Sequence, residues 1–276
     1  MENNRFEEKD LVNFEPDGKV GLLATVNPDN QPHITLITAM QASDPGHLIF
    51  GQFCQGRSKD HLEENPRAGF LLMTLDRRVW KGRALWTGKT HSGADHEMMN
   101  KKPMWRYNAY FSIHTVHYLD LVAVGEGHPL PLGAVTGGMV KSMLTKPFRR
   151  QPAGPEVMNP WTASFIGKPR NLKFLAWIGE DGFPRIIPQL GAVSLNSREI
   201  YLPGVEYRRE FRNIPDGASV ALFAMALTME DVLVRGTFHR QGGGGRLSVD
   251  WVYNSMPPVA EQIYPPVNLA EKVVEF

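Results

Sequence analysis

The sequence predicts a mainly β protein made of two similar halves with a few short helices. Runs rich in β-branched and aromatic residues, bounded by Gly, Pro, Asn and Asp, recur along most of the chain. One order of landmarks occurs twice, with a spacing near 150 residues. The 276 residues, 42% hydrophobic and 21% charged, exceed a typical single domain and can bury two cores without disulfides.

The elements follow in order. GLLATV, the turn PDNQ and PHITLITAM read as a hairpin, and HLIFGQF as a third strand. SKDHLEENP reads as a short helix with Ser58 as N-cap and Pro66 just past its end. RAGFLLMTL and RVWKGRALWTGK add two strands, ADHEMMNKKPMW a helix with Pro103 near its end, and HTVHYLDLVAV a further strand. LATVNPDNQPHI then aligns with LAWIGEDGFPRI, placing Pro32 on Pro184 and Leu48 on Ile200 at one offset of 152. Pro66 falls on Pro215 at an offset of 149, through a loop three residues shorter. Gly82 of VWKGRA falls on Gly236 of LVRGTF at 154. Duplication explains this order better than chance likeness between hairpins.

The expected organisation is a first domain over 1–125, a Gly/Pro-rich connector over 126–168 and a second domain over 169–276. Within the connector, LGAVTGGMVKSMLT reads as an imperfect helix, weakened by paired glycines. QGGGG reads as a hairpin tip before RLSVDWVYN, where Leu247, Val249, Trp251 and Tyr253 alternate as in a strand. No Lys-Ser/Thr follows those glycines, so a phosphate loop is not expected.

Thirty basic against 29 acidic residues provide no general pull toward nucleic acid or an anionic membrane. The single cysteine, Cys54, rules out an intrachain disulfide and multi-cysteine zinc sites, and reads as a small apolar residue. No apolar leader opens the chain and no run of about 20 apolar residues occurs, so the expected location is the cytoplasm. His114 and His117 lie three apart in a strand and point to opposite faces, so they cannot share a metal; no metal is expected. Arg57, Ser58 and Lys59 stand apart. They meet at a loop-to-helix junction, where free backbone N–H groups and two basic side chains suit a phosphate.

The order PHITLIT, LIFGQF, RSKDHLEENPRAGFLL, VWKGRA resembles the pyridoxamine 5′-phosphate oxidase-like, FMN-binding split-barrel superfamily. The resemblance implies two tandem split-barrel domains, each a six-stranded Greek-key barrel, packed so that FMN lies between them. By position, His33, Ile34, Thr35, Leu36, Ile37 and Thr38 match the flavin-lining strand. Phe50 and Gly51 match a second flavin contact, and Arg57, Ser58 and Lys59 the phosphate corner. His33 stands where oxidases of this type carry Arg; Arg185 restores that Arg in the second half, and Arg208 matches Lys59 when counted back from the proline. The second barrel is accordingly expected to be partly degenerate and to help enclose a flavin held mainly by the first.

The implied function is an FMN-dependent oxidoreductase acting on a small-molecule substrate or electron donor, without nucleic-acid or membrane partners. No acid or base stands out; Trp80, Trp86, Trp105 and Tyr107 are aromatic candidates for stacking. True pyridoxine-phosphate oxidase activity is not expected, because PPVNLAEKVVEF lacks the Arg and His of that substrate signature. A non-catalytic flavin carrier or sensor stays open, as does a deazaflavin- or haem-binding relative with His114, His117 or His239 as axial ligand. A duplicated chain could satisfy the barrel-pairing face internally, yet the expectation leans to a homodimer.

Overall fold

The computed structural model describes residues 3–15, 18–52, 56–102, 112–145, 154–228, 230–254 and 261–265. Cys54, Pro103, Trp105, Tyr107 and the C-terminal PVNLAEKVVEF lie outside these described residues. After α1 (Glu8–Leu11) come β1 (Lys19–Val26), β2 (Pro32–Leu36), β3 (Met40–Asp44) and β4 (His47–Gln52). Then follow α2 (Arg57–Glu64), β5 (Arg67–Thr74), β6 (Arg78–Thr90), α3 (Ala94–Lys101) and β7 (Thr115–Val124). The sheet runs β2-β1-β5-β6-β7-β4-β3, every pairing antiparallel, and β8 (His128–Pro129) adds to β6.

The second sheet has the same path. It uses β9 (Leu172–Ile178), β10 (Pro184–Pro188), β11 (Val193–Ser194), β12 (Glu199–Leu202), β13 (Ser219–Met225), β14 (Asp231–Gln241) and β15 (Gly244–Asn254). Its order is β10-β9-β13-β14-β15-β12-β11, with β16 (Glu261–Tyr264) on β15. Between the sheets lie α4 (Leu132–Thr145) and α5 (Pro160–Gly167), and α6 (Arg208–Arg212) sits where α2 sits in the first half. Each half is thus the split barrel expected from the sequence, six main strands extended by two short ones.

Several local expectations change. The α2 N-cap is Gly56, in extended conformation, and Ser58 occupies the second helical position without capping. PHITLITAM is two strands, not one. The chain turns at Ile37, whose N–H donates to the Gly21 carbonyl and whose carbonyl accepts from the Met40 N–H. Gly21 makes this possible, since a Cβ there would stand 2.5 Å from the Ile37 oxygen. The α4 helix runs through its paired glycines for 14 residues and is tied to the second sheet by Ser142 Oγ donating to the Gly191 carbonyl. The hairpin tip between β14 and β15 is a two-residue turn, with Gly242 and Gly243 at φ 49° and 72°.

The ladder registers also revise the internal alignment. Thr25 pairs with His33 in one half and Trp177 with Arg185 in the other, an offset of 152. Gly69 pairs with Arg83 and Ala221 with Arg235, again 152 apart. A β-bulge follows Arg83 and another follows Arg235, so Arg235 is the counterpart of Arg83 and Gly236 that of Ala84. The Gly82–Gly236 match is therefore two residues out of register. Because the offset holds on both sides of the helix, the connector there is not shortened. The second half has a helix of five residues instead of eight and an earlier proline.

The two sheets pack on each other through β1, β2 and β5 of the first half against β9, β10 and β13 of the second. One continuous core results: Leu22, Ala24, Ile34 and Leu71 join Phe174, Leu175, Leu222 and Phe223, all essentially without exposure. The first half keeps a second core of its own around Phe14, Phe50, Phe70 and Trp80.

Candidate functional site

Two equivalent positions related by the internal repeat lie where the sheets meet: the first cleft, around His33, is filled by buried side chains, and the second, around its counterpart Arg185, is open.

At the first cleft, β2 brings in His33, α2 brings Arg57, Ser58, Lys59 and His61, and the second half adds Arg235, Trp251 and Tyr253. The His33 ring lies edge-on to His61 at 5.2 Å, to Tyr253 at 5.4 Å and to Trp251 at 6.2 Å. Trp251 and Tyr253 occupy alternate positions of β15, so they share a face and stack at 5.3 Å and 10°. Their rings attract cations. Arg235 lies 4.4 Å from Trp251 and Arg57 lies 5.5 Å from Tyr253.

Electrostatics here disfavour further positive charge. Burial pushes His33 well below the usual imidazole range, and His61, Arg235, Arg57 and Lys59 add to the shift. His61, hydrogen-bonded to the Thr25 hydroxyl at 3.1 Å, is lowered to about 4, mainly by burial and then by Arg57 and Arg235. Next to them, His117 of β7 stacks on Phe50 at 4.6 Å and 3°. Trp86 Nε1–H donates to His117 Nδ1 at 3.2 Å, so the proton sits on Nε2 and is donated to Gln52 Oε1 at 2.7 Å. Burial, then Lys59 and Lys89, lower this imidazole to about 4. The charge of the buried Lys59 thus acts on both His33 and His117.

Three buried polar atoms at this cleft have no hydrogen-bond partner among the described residues, His33 Nδ1, Ser58 Oγ and Arg235 Nε. The α2 N-terminus carries no side-chain cap, so its first N–H groups keep their hydrogen-bonding capacity.

The remaining residues expected at a flavin site divide. Ile34 and Leu36 face the core shared by both sheets, while Ile37 and Phe50 belong to the core of the first half. Gly51 is needed for packing inside that half, since a Cβ would stand 2.6 Å from Ile113. Thr35 and Thr38 remain half-buried. Because β2 is the edge strand of its sheet, one side of its backbone has no ladder partner among the described residues.

At the second cleft the same framework encloses a cavity of about 1320 Å³. The counterparts of Trp251 and Tyr253 are Ala123 and Gly125, by the pairing of Arg83 with Ala123 and of Arg235 with Trp251. Removing two aromatic rings leaves that space. Arg185 lines it and donates to Asp181 at 2.8 Å, as does Arg83 at 2.6 Å. Lys81 pairs with Glu210 and lies 4.5 Å from the Tyr207 ring, whose hydroxyl meets His128 Nε2 at 3.1 Å. The lining basic residues of α6 are Arg209 and Arg212; Arg208 is exposed and outside the lining. Counted by the 152 offset, the counterpart of Lys59 is Phe211, a buried core residue.

The structure brings the expected Arg57 and His33 together with His61, Arg235, Trp251 and Tyr253, which the sequence does not point to. The last three come from the opposite half, which no local motif could indicate.

The family model described as pyridoxamine 5′-phosphate oxidase matches residues 8–109. Among solved structures, an FMN-binding protein from Syntrophomonas wolfei subsp. wolfei is similar at 15% identity and TM-score 0.36, over 42% of this chain and 80% of that one. A putative pyridoxamine 5′-phosphate oxidase from Lactobacillus delbrueckii shares 17% identity at TM-score 0.36, over 45% and 95% of the two chains. An F420 reductase shares 18% at TM-score 0.35, over 42% and 94%. No curated protein matches. The match to that family model lies in the first half, and the same strand order recurs in the second.

Proposed function

We propose that the chain binds FMN in the first cleft and serves as a flavin-dependent oxidoreductase on a small molecule. The observation that carries this is the corner where the uncapped start of α2, the partnerless Ser58 Oγ and the buried Lys59 converge. A phosphate there would accept from free backbone N–H groups, from the Ser58 hydroxyl and from Lys59, with Arg57 and Arg235 adding positive charge. The residues present fit the group.

Bound flavin would supply the redox chemistry, and the protein would hold and orient it. The free edge of β2 around Thr35 offers backbone groups to the polar edge of the ring system. His33 Nδ1, buried and partnerless, adds one polar atom beside it. The neutral state of His33, His61 and His117 keeps the positive charge concentrated on Lys59 and the arginines.

Fluorescence-quenching titrations with FMN and riboflavin test this. Lys59→Ala should weaken FMN about 10- to 150-fold, the worth of one charge-assisted contact, and riboflavin little. Lys89→Ala, which removes only an exposed pair with Glu63, is the control and should leave both unchanged. Equal losses for the two ligands in Lys59→Ala would place the phosphate elsewhere. Bleaching of the yellow colour by NAD(P)H separates an oxidoreductase from a passive carrier.

A further inference from the structure

We propose that the second cleft is a binding site for a phosphorylated small molecule other than the flavin, clamped by Arg209 and Arg212. The cleft has room for one. Its volume of about 1320 Å³ lies above the usual range for small-molecule sites, roughly 300–1,000 Å³. That space follows from Ala123 and Gly125 standing where the first cleft has Trp251 and Tyr253.

Its charges sort into paired and unpaired ones, and the carboxylates of Glu126, Glu180 and Asp216 also border the cavity. Lys81 is paired with Glu210, and both Arg83 and Arg185 donate to Asp181. The guanidiniums of Arg209 and Arg212 have no carboxylate partner among the described residues. They lie three apart on α6 and so share one face of the helix, toward the cavity they line. Arg240 reinforces that end, because its guanidinium donates to the Arg212 carbonyl at 3.1 Å and to the Ile214 carbonyl. Two free guanidiniums backed by a third cation match the geometry and charge of a phosphate monoester.

A flavin phosphate bound as in the first cleft would not fit here. Counted by the 152 offset, Glu210 replaces Ser58 and Phe211 replaces Lys59, putting a carboxylate and a buried ring where the phosphate would sit. Trp177 also borders the cavity but is 4% exposed and belongs to the shared core, so it contributes little surface. The arginine pair thus sets the phosphate of the ligand, and the cavity has room for an organic group attached to it.

The test is calorimetric titration with adenosine 5′-monophosphate (AMP) of the protein saturated with FMN. Binding of one AMP per chain is expected, with adenosine at least about tenfold weaker for want of the phosphate. Arg209→Ala/Arg212→Ala should weaken AMP about tenfold or more without changing FMN affinity. Gly125→Tyr gives an independent readout. A Cβ there meets only the Lys81 carbonyl, at 3.8 Å, so the ring can enter the cavity and should abolish AMP binding. Several results would overturn the proposal: no AMP binding below millimolar concentrations, an affinity unchanged in the arginine variant, or a second equivalent of FMN lost in that variant. Should FMN not bind at all, the flavin reading falls, while the same AMP titration on the FMN-free chain still decides this one.

Discussion

The two clefts share a framework and differ in what fills it. In the first, Trp251 and Tyr253 stack beside His33 and draw Arg57 and Arg235 onto their faces. In the second, Ala123 and Gly125 leave the space to solvent, and the charges meet in ion pairs around Asp181 and Glu210. Strand order, register offset and even the bulges after Arg83 and Arg235 are the same. A duplicated interface thus produces two equivalent positions, and four exchanges are enough to make them chemically unlike: Trp251 for Ala123, Tyr253 for Gly125, His33 for Arg185 and Lys59 for Phe211. Backbone repetition does not imply repeated function, because the ligand chemistry resides in side chains at a few register positions.

The largest effect that would sharpen this comparison is on stability. Trp251 is 5% exposed and belongs to the core shared by the two halves, so Trp251→Ala should cost about 3–5 kcal/mol. Making the reverse exchange in the second cleft should cost far less, since Gly125→Tyr enters open space and removes no contact. Urea unfolding of both variants checks this. Similar losses would mean that the aromatic pair is not what seals the first cleft.

The next effect is pH-dependent and confined to the first cleft. His61 and His117 are near 4 in the folded protein against about 6.5 in the unfolded chain, and His33 is shifted the same way. Above about pH 6.5 both states are neutral and the burial carries no protonation penalty. As pH falls from 6.5 toward 4, the unfolded chain takes up protons that the folded one refuses, so stability declines. Each of His61 and His117 should withdraw about 2–3 kcal/mol over that window. His117→Gln, which keeps a hydrogen-bonding side chain without the titration, should flatten part of the slope. An unchanged slope in that variant would show that His117 takes up its proton alike in the folded and unfolded chain.

How much of this was legible beforehand depended on how local the signal was. The strands, the duplication and the Arg57–Lys59 corner were readable because alternation, turn residues and a loop-to-helix junction are short-range patterns. Ser58 was misread as a cap because Gly56 adopts the extended N-cap conformation without a side chain to mark it. The break at Ile37 went unseen because PHITLITAM is continuously β-prone, and only the Gly21 carbonyl across the hairpin draws the chain into a turn. The site was half legible. Its α2 side lies in one contiguous segment, whereas Arg235, Trp251 and Tyr253 arrive from about 200 residues away, through packing of one sheet on the other.

The smallest expected effect decides between two ways of aligning the halves. Counting back from proline makes Arg208 the counterpart of Lys59, whereas the ladder offset assigns that place to Phe211 and turns Arg209 and Arg212 toward the cavity. Arg208 itself is exposed and does not line the cleft. Arg208→Ala should therefore change stability by no more than about 0.5 kcal/mol, as for most surface substitutions. It should also leave both FMN and AMP titrations within experimental scatter, while Arg209→Ala moves the AMP curve alone. A loss of FMN affinity in Arg208→Ala would restore the proline-anchored alignment and transfer the phosphate contact to the second half. The two arginines are adjacent, of one charge and on one short helix, so general electrostatics acts on them almost equally; any difference between them measures the direction in which each side chain points.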